Sequence, residues 1–235
     1  MNFIEGEVLL LNKPLNWTSF DVVNKLRYAL TKKIGHRIKV GHAGTLDPLA
    51  TGLLIICTGK MTKRIDEYQG MDKEYTGTIY LGATTPTYDS EMEPDAHYPT
   101  DHITPELLTG AVTKLSGVIE QLPPVYSAIK IDGKTAYQEA RKGNDMEMKT
   151  RTVEIKEFEL TRTEMPEVDF RVVCSKGTYI RSLAYDFGKA VNSGAYLKTL
   201  CRTRIGHFDL NNAVTIDQML AIIAATEIIH TDKQH

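Results

Sequence analysis

GHAGTLDPLATGLL, residues 41–54, sets a single aspartate, Asp47, among Gly41, Gly44 and Gly52, fixes its exit with Pro48, and runs into an apolar segment. Glycine supplies left-handed backbone and close approach. Asp-Pro followed by Leu-Ala-Thr-Gly makes a serviceable turn, or one turn of helix with the acid as its cap. The stretch is therefore either a tight turn that contains an acid or a turn built to present one. The apolar run behind it, LLIIC (53–57), predicts a strand.

Outward from this centre, EVLLLNKP (7–14) reads as a strand ending in a turn at Asn12, Lys13 and Pro14. TSFDVVNKLRYAL (18–30) reads as a helix capped by Thr18 or Ser19, with Phe20, Val23, Leu26 and Leu30 as one apolar stripe. EYTGTIYLG (74–82) alternates as a strand should, and Thr104, Pro105 and Glu106 open a helix over 104–117. Asp132-Gly133 marks a hairpin. RTVEIKEFEL, EVDFRVVC and RIGHFDL predict three further strands, and SLAYDFGKAV and TIDQMLAIIAA two helices. Many strands, scattered helices and no regular β-α-β repeat point to an α+β fold with a large, mostly antiparallel mixed sheet and flanking helices. With no internal repeat or low-complexity linker, the expectation is one compact domain over residues 1–235.

The composition, 42% hydrophobic and 25% charged over 235 residues, is that of a globular protein able to bury roughly 70% of its unfolded surface. No apolar run approaches the roughly 20 residues of a membrane span. The start, MNFIEGEVLL, has an acidic flank and no small-residue cleavage site. Three distant cysteines, Cys57, Cys174 and Cys201, fit neither a disulfide framework nor a metal knuckle, so a reduced, cytoplasmic setting follows. The net charge of −2 hides an asymmetry: Lys25, Arg27, Lys32, Lys33, Arg37 and Lys39 lie in a stretch without acids. Asp89, Glu91, Glu93, Asp95 and Asp101 lie in one without bases. These are two solvated surfaces, or the first is a basic lobe that grips a phosphate backbone.

Gly41-His42-Ala43-Gly44-Thr45-Leu46-Asp47-Pro48-Leu49-Ala50-Thr51-Gly52 closely resembles the nucleophile motif of the TruB family of tRNA pseudouridine synthases. Five more segments resemble family motifs in the family's order: Leu9–Pro14, Lys73-Glu74-Tyr75, Pro123–Lys130 with Gly133, Tyr137 and Ala140-Arg141 beyond, Cys174–Ser182, and Leu200 with Arg202–Gly206. Together they span nearly the whole chain. The resemblance implies a pseudouridine synthase fold with a central active-site cleft, family-type insertions around residues 85–150, and isomerisation of the T-loop uridine (U55) of tRNA to pseudouridine. It implies no cofactor and no metal. The partner it implies is the tRNA T-arm stem-loop, met by a monomer with no obligate protein partner and no membrane.

The chemistry suits the residue types. Breaking the bond from ribose to uracil N1 and re-forming it to C5 needs a carboxylate ionised at neutral pH, acting on the ribose as nucleophile or as base, and an ordinary aspartate of pKa about 3.9 is so ionised. By resemblance Asp47 is the nucleophile and Arg181 pairs with it; a guanidinium favours the charged carboxylate and spoils a general acid. A uridine inside a folded loop must be flipped from its stack at a cost of a few kcal/mol. Tyr75 resembles the tyrosine that stacks on the flipped base, with its hydroxyl assisting proton removal. Tyr179 and Leu200 resemble pocket-lining residues, and Tyr179 and Arg181, two apart, share a face if their segment is extended. His42 resembles the residue inserted among loop bases, and Lys13 one that supports the active-site loop. Lys60, Lys63, Arg64, Lys130, Lys134, Arg141 and Lys142 would extend the basic path.

Three departures qualify the match. Ala43 stands where the family often has Thr, Cys201 where a basic residue is common, and no separate C-terminal RNA-binding (PUA) domain is expected. Two other classes of function compete with the isomerase: a non-catalytic tRNA-folding factor, which needs no buried carboxylate, and a glycosidase-like hydrolase, which needs a second acid to work with Asp47.

Overall fold

The computed structural model describes residues 1–127, 130–131, 134–142 and 148–227. The chain divides into two compact units, Met1–Lys73 with Cys201–His235, and Glu74–Leu200.

The first unit opens with β1 (Val8–Lys13), α1 (Ser19–Ile34), β2 (Val40–His42), β3 (Ala50–Thr58), a 3-10 turn (Gly59–Arg64) and α2 (Ile65–Gly70). Thr18 caps α1 in a capping box with Asp21, and Gly35, at φ 86°, closes it. β1 and β2 each run antiparallel to β3, in register from Val8↔Cys57 to Lys13↔Gly52 and from Val40↔Thr58 to His42↔Ile56. Leu54 and Ile56 of β3 join Val22, Val23, Leu26 and Leu30 of α1 in one core cluster, while Leu53, Ile55 and Cys57 join Tyr68 and Ile205 in another. A strand buried on both faces has no reason to alternate, hence the unbroken LLIIC. The expected stripe on α1 needs one correction. Phe20 is 59% exposed, and Val22 and Ile34 complete the buried face instead.

The second unit carries β4 (Lys73–Leu81), β5 (Ala83–Thr84), β6 (Ala96–His97), α3 (Pro105–Lys114), β7 (Gly117–Gln121), β8 (Lys130–Ile131), β9 (Lys134–Thr135), α4 (Ala136–Arg141), β10 (Arg151–Glu164), β11 (Glu167–Cys174), α5 (Ile180–Ala190) and β12 (Ala195–Ile205). Its strands lie in the order β12-β4-β11-β10-β7. β10 pairs antiparallel with both β11 and β7. Phe187 of α5 meets Phe158 of β10 edge-on at 5.9 Å, seating the helix on the sheet. β8 and β9 pair antiparallel as a hairpin requires, although Asp132 and Gly133 themselves lie outside the described residues.

β12 carries the chain back into the first unit, where β13 (Phe208–Asp209) and α6 (Ile216–Ala225) complete it. The expected strand over 204–210 is two strands, broken at Gly206 with φ 54°. Antiparallel strands with helices packed on them make the architecture α+β, as the order of elements implied.

Candidate active site

Asp47 lies in the loop between β2 and β3, and the main chain of that loop is fastened almost residue by residue. Ala43 N–H donates to Ile55 O at 2.9 Å. Both backbone groups of Leu46 bond the Ser19 hydroxyl, N–H to Oγ at 2.8 Å and Oγ to carbonyl at 3.2 Å. Asp47 O accepts from Ala50 N at 3.0 Å, and Pro48 O from Asn16 N at 2.8 Å. Leu46 and Ala43 are buried, while the Asp47 side chain is only half-buried.

Two buried cations finish the fastening. Lys13, fully buried at the end of β1, donates to Pro14 O (2.9 Å), Trp17 O (2.5 Å) and Pro48 O (3.4 Å). Arg202, 1% exposed on β12, donates to Leu53 O (2.8 Å), Gly44 O (3.2 Å) and Thr45 O (3.5 Å). Burial brings Lys13 down to about 8, the Arg202 guanidinium pushes the same way, and the carboxylates of Asp47 and Asp21 oppose them. His42, on β2, is held below the ordinary imidazole range by burial and then by Arg202, against a backbone hydrogen bond at Gly44. Its ring is thus neutral at pH 7. Within the first unit, then, Asp47, Lys13 and His42 lie on and around one loop, and Arg202, quoted in the sequence only as part of a motif, joins them. No local signal marks Arg202, because its partners are carbonyls about 150 residues away.

The second unit holds Tyr75, Tyr179, Arg181 and Leu200. Tyr75 is buried on β4, and Leu200 is half-buried on β12. Tyr179 is the N-cap of α5, so Arg181 is helical and the two do not share the face of an extended segment. The helix forms early because the Gln121 side-chain amide binds both backbone groups of Tyr179, at 2.7 and 3.0 Å, leaving no strand partner to continue β-structure. The Arg151 guanidinium sits 5.1 Å from the Tyr179 ring centroid.

Arg181 is buried, with Nη1 donating to Tyr126 O (3.0 Å) and Thr87 O (3.3 Å) and Nε 3.7 Å from a carboxylate oxygen of buried Asp89. Segments near 87, 126 and 181 thus converge on one guanidinium. Asp89 reads in the sequence as part of an exposed acidic run; its flanking Thr85, Thr87 and turn residues are the clue that it faces inward. A buried ion pair of this kind stabilises little by itself but fixes geometry, since removing either partner strands a charge. Among the described residues, no group of three or more His, Cys, Asp or Glu side chains forms a metal-ligand cluster.

Residues 31–180 match the model of the TruB family pseudouridylate synthase N-terminal domain, and residues 181–233 that of the tRNA pseudouridylate synthase B C-terminal domain. The chain is 59% identical over 216 residues to tRNA pseudouridine synthase B of Flavobacterium johnsoniae, covering 91% of this chain and 94% of that protein. It is 53% identical over 233 residues to tRNA pseudouridine synthase B of Bacteroides thetaiotaomicron, covering 97% of both. Among solved structures, a Cbf5-Nop10-Gar1 complex matches with a TM-score of 0.71 at 27% identity, over 94% of this chain and 55% of that one. An H/ACA RNP bound to a substrate RNA containing 2'-deoxyuridine matches with a TM-score of 0.67 at 25% identity, over 93% and 54%. A loop fastened around one aspartate and a buried guanidinium at the head of α5 are thus set in a chain that belongs to the TruB family of pseudouridylate synthases.

Proposed function

We propose that this chain converts the T-loop uridine U55 of tRNA to pseudouridine, with Asp47 as the nucleophile. The observation that carries the reading is the Asp47 loop, whose backbone is fixed by Ser19, Lys13 and Arg202 while the carboxylate itself stays half-buried. A loop held this firmly presents its carboxylate without further ordering, which is what attack on a positioned sugar requires. In the reaction the bond from ribose C1′ to uracil N1 breaks, the base turns, and a bond from C1′ to C5 forms. N1 gains a proton and C5 loses one, so no oxidant, reductant or co-substrate is consumed. Asp47 attacks ribose C1′ as its bond to N1 breaks and is displaced again when C5 bonds to C1′, Arg181 keeps negative charge favourable in the reacting site, and Tyr75 packs on the flipped uracil. Tyr179 and Leu200 line its pocket, His42 fills the space the flipped base leaves in the loop, and Lys13 supports the Asp47 loop.

The partner is the T-arm stem-loop, met by a monomer in the cytoplasm. Arg27, Arg37 and Lys39 surround a cleft of about 430 Å³ with no acid in its lining, beside the strand that carries His42. Other cations of the basic path are engaged: Lys60 with Glu5, Arg64 with Glu67, Arg141 with Glu91 and Lys142 with Glu139. The side chains of Lys130 and Lys134 lie outside the described residues.

Transfer to C5 expels its hydrogen, so tRNA tritiated at uracil C5 releases tritium to water. Asp47→Asn is expected to lower release at least ~1,000-fold while RNA affinity stays within about threefold. A protein that binds without release is a folding factor, and one that frees uracil is a hydrolase. Persistent turnover in Asp47→Asn removes Asp47 as the nucleophile.

A further inference from the structure

Tyr88 has a left-handed backbone, φ 62°, at a position where a bulky side chain is sterically disfavoured. It lies between the two loop residues that engage Arg181: the Thr87 carbonyl precedes it and the Asp89 carboxylate follows it. Its ring stacks on Tyr185, centroids 4.0 Å apart and planes 11° from parallel. Tyr185 is one helical turn beyond Arg181 on α5, so the two side chains emerge from the same face of the helix. The loop therefore touches α5 at two points, ring on ring at 185 and carbonyl plus carboxylate on guanidinium at 181.

The backbone around Tyr88 is fixed as well. Its N–H donates to Thr85 O at 3.2 Å and its carbonyl accepts from Leu197 N–H at 2.9 Å. The Thr85 hydroxyl donates to Asp89 O at 2.7 Å, and Asp89 Oδ1 accepts from Glu91 N–H at 3.0 Å. Lys189 Nζ lies 4.4 Å from the Tyr185 ring centroid, one turn further along the helix.

We propose that Tyr88 is a positioning residue, whose stacking on Tyr185 holds the strained turn that sets the Thr87 carbonyl and the Asp89 carboxylate against Arg181. The proposal rests on the reading of Arg181 as part of the isomerase machinery. Burial is the main force that pushes the Tyr88 phenol up to about 12, with Tyr185, which also hydrogen-bonds its hydroxyl, and the carboxylate of Asp186 adding to it, so the stacked ring stays neutral. A strained residue kept in place by a specific contact beside a functional guanidinium is what stored strain at a working site looks like.

The test compares Tyr88→Phe, Tyr88→Leu, Tyr88→Gly and Tyr185→Leu in the full chain. Tyr88→Phe keeps the stack and should hold kcat within about twofold. Tyr88→Leu and Tyr185→Leu should lower kcat about 10- to 100-fold, as small misplacements of reacting groups do, with KM within about threefold. Tyr88→Gly relieves the backbone but removes the ring, and should fall with the leucine variants; wild-type rate in the glycine variant would show that only the backbone matters. Exchange of the Arg181 guanidinium protons, followed by NMR, reads the same geometry without turnover: slow in wild type and Tyr88→Phe, fast in Tyr88→Leu. The proposal is overturned if Tyr88→Leu keeps wild-type kcat and slow exchange, or loses rate only in proportion to the fraction unfolded. A wild-type protein that releases no tritium sinks the isomerase reading instead, and the exchange comparison still decides Tyr88.

Discussion

Lys13 illustrates how a single residue can carry opposite consequences for stability and activity. Its ammonium is buried and spends its three protons on three carbonyls, one of them Pro48 O in the Asp47 loop. With a folded pKa of about 8 against the ordinary 10.5, the folded chain releases this proton before the unfolded chain does. Between those values the unfolded state binds more protons, so this group's contribution to stability becomes more favourable as pH rises. Activity should move the other way, because a neutral amine loses one donor and its charge beside Asp47. The expected kcat profile therefore falls as pH rises through about 8, without a matching loss of thermal stability from this group. Lys13→Met should lack that alkaline limb and turn over more slowly at pH 7; a limb that survives in Lys13→Met assigns it to another group. The sequence marked Lys13 as loop support, but not that it would be desolvated. That follows from packing alone.

At the level of elements, the contact of β3 with β12 decides what the glycines of the Asp47 segment do. Gly52 has φ 103°, and a Cβ there would fall 2.3 Å from the Arg202 carbonyl, a backbone atom that cannot yield. Gly44 has nearly the same φ, 102°, but a Cβ there would meet nothing closer than 3.6 Å, the Arg202 guanidinium. Gly44→Ala should therefore cost only its backbone strain, about 1–2 kcal/mol. Gly52→Ala should cost more, about 3 kcal/mol or above, because strand must separate from strand. Denaturant midpoints of the two variants check this, and equal losses would contradict the strand contact. The element boundaries show the same division of labour. Capping residues placed α1 and α3 within a few residues, because caps act locally. Phe20, placed in the core by periodicity, is exposed with Arg27 5.9 Å from its ring centroid, because the neighbouring Val22 turns inward instead.

For the molecule as a whole, a net charge of −2 coexists with a basic cleft, so association with RNA should depend on salt despite the acidic balance. Arg37→Ala and Lys39→Ala should each weaken tRNA binding and reduce the slope of log affinity against log salt by about 0.7–0.9. The rate at saturating RNA should stay within about twofold in both variants. An unchanged slope would take the phosphate backbone away from this cleft. What the sequence determined by itself was local: the Asp47 turn, the capped helices, the strands, and six ordered motifs sufficient to mark the family. Those signals are written in adjacent residues, where glycine conformation, capping and periodicity act. What only the tertiary structure decided was which distant groups meet: Arg202 on the carbonyls of Gly44, Thr45 and Leu53, and Asp89 with Thr87 and Tyr126 on Arg181. A buried cation must find acceptors wherever folding brings them, and no pattern in its own neighbourhood says where that is.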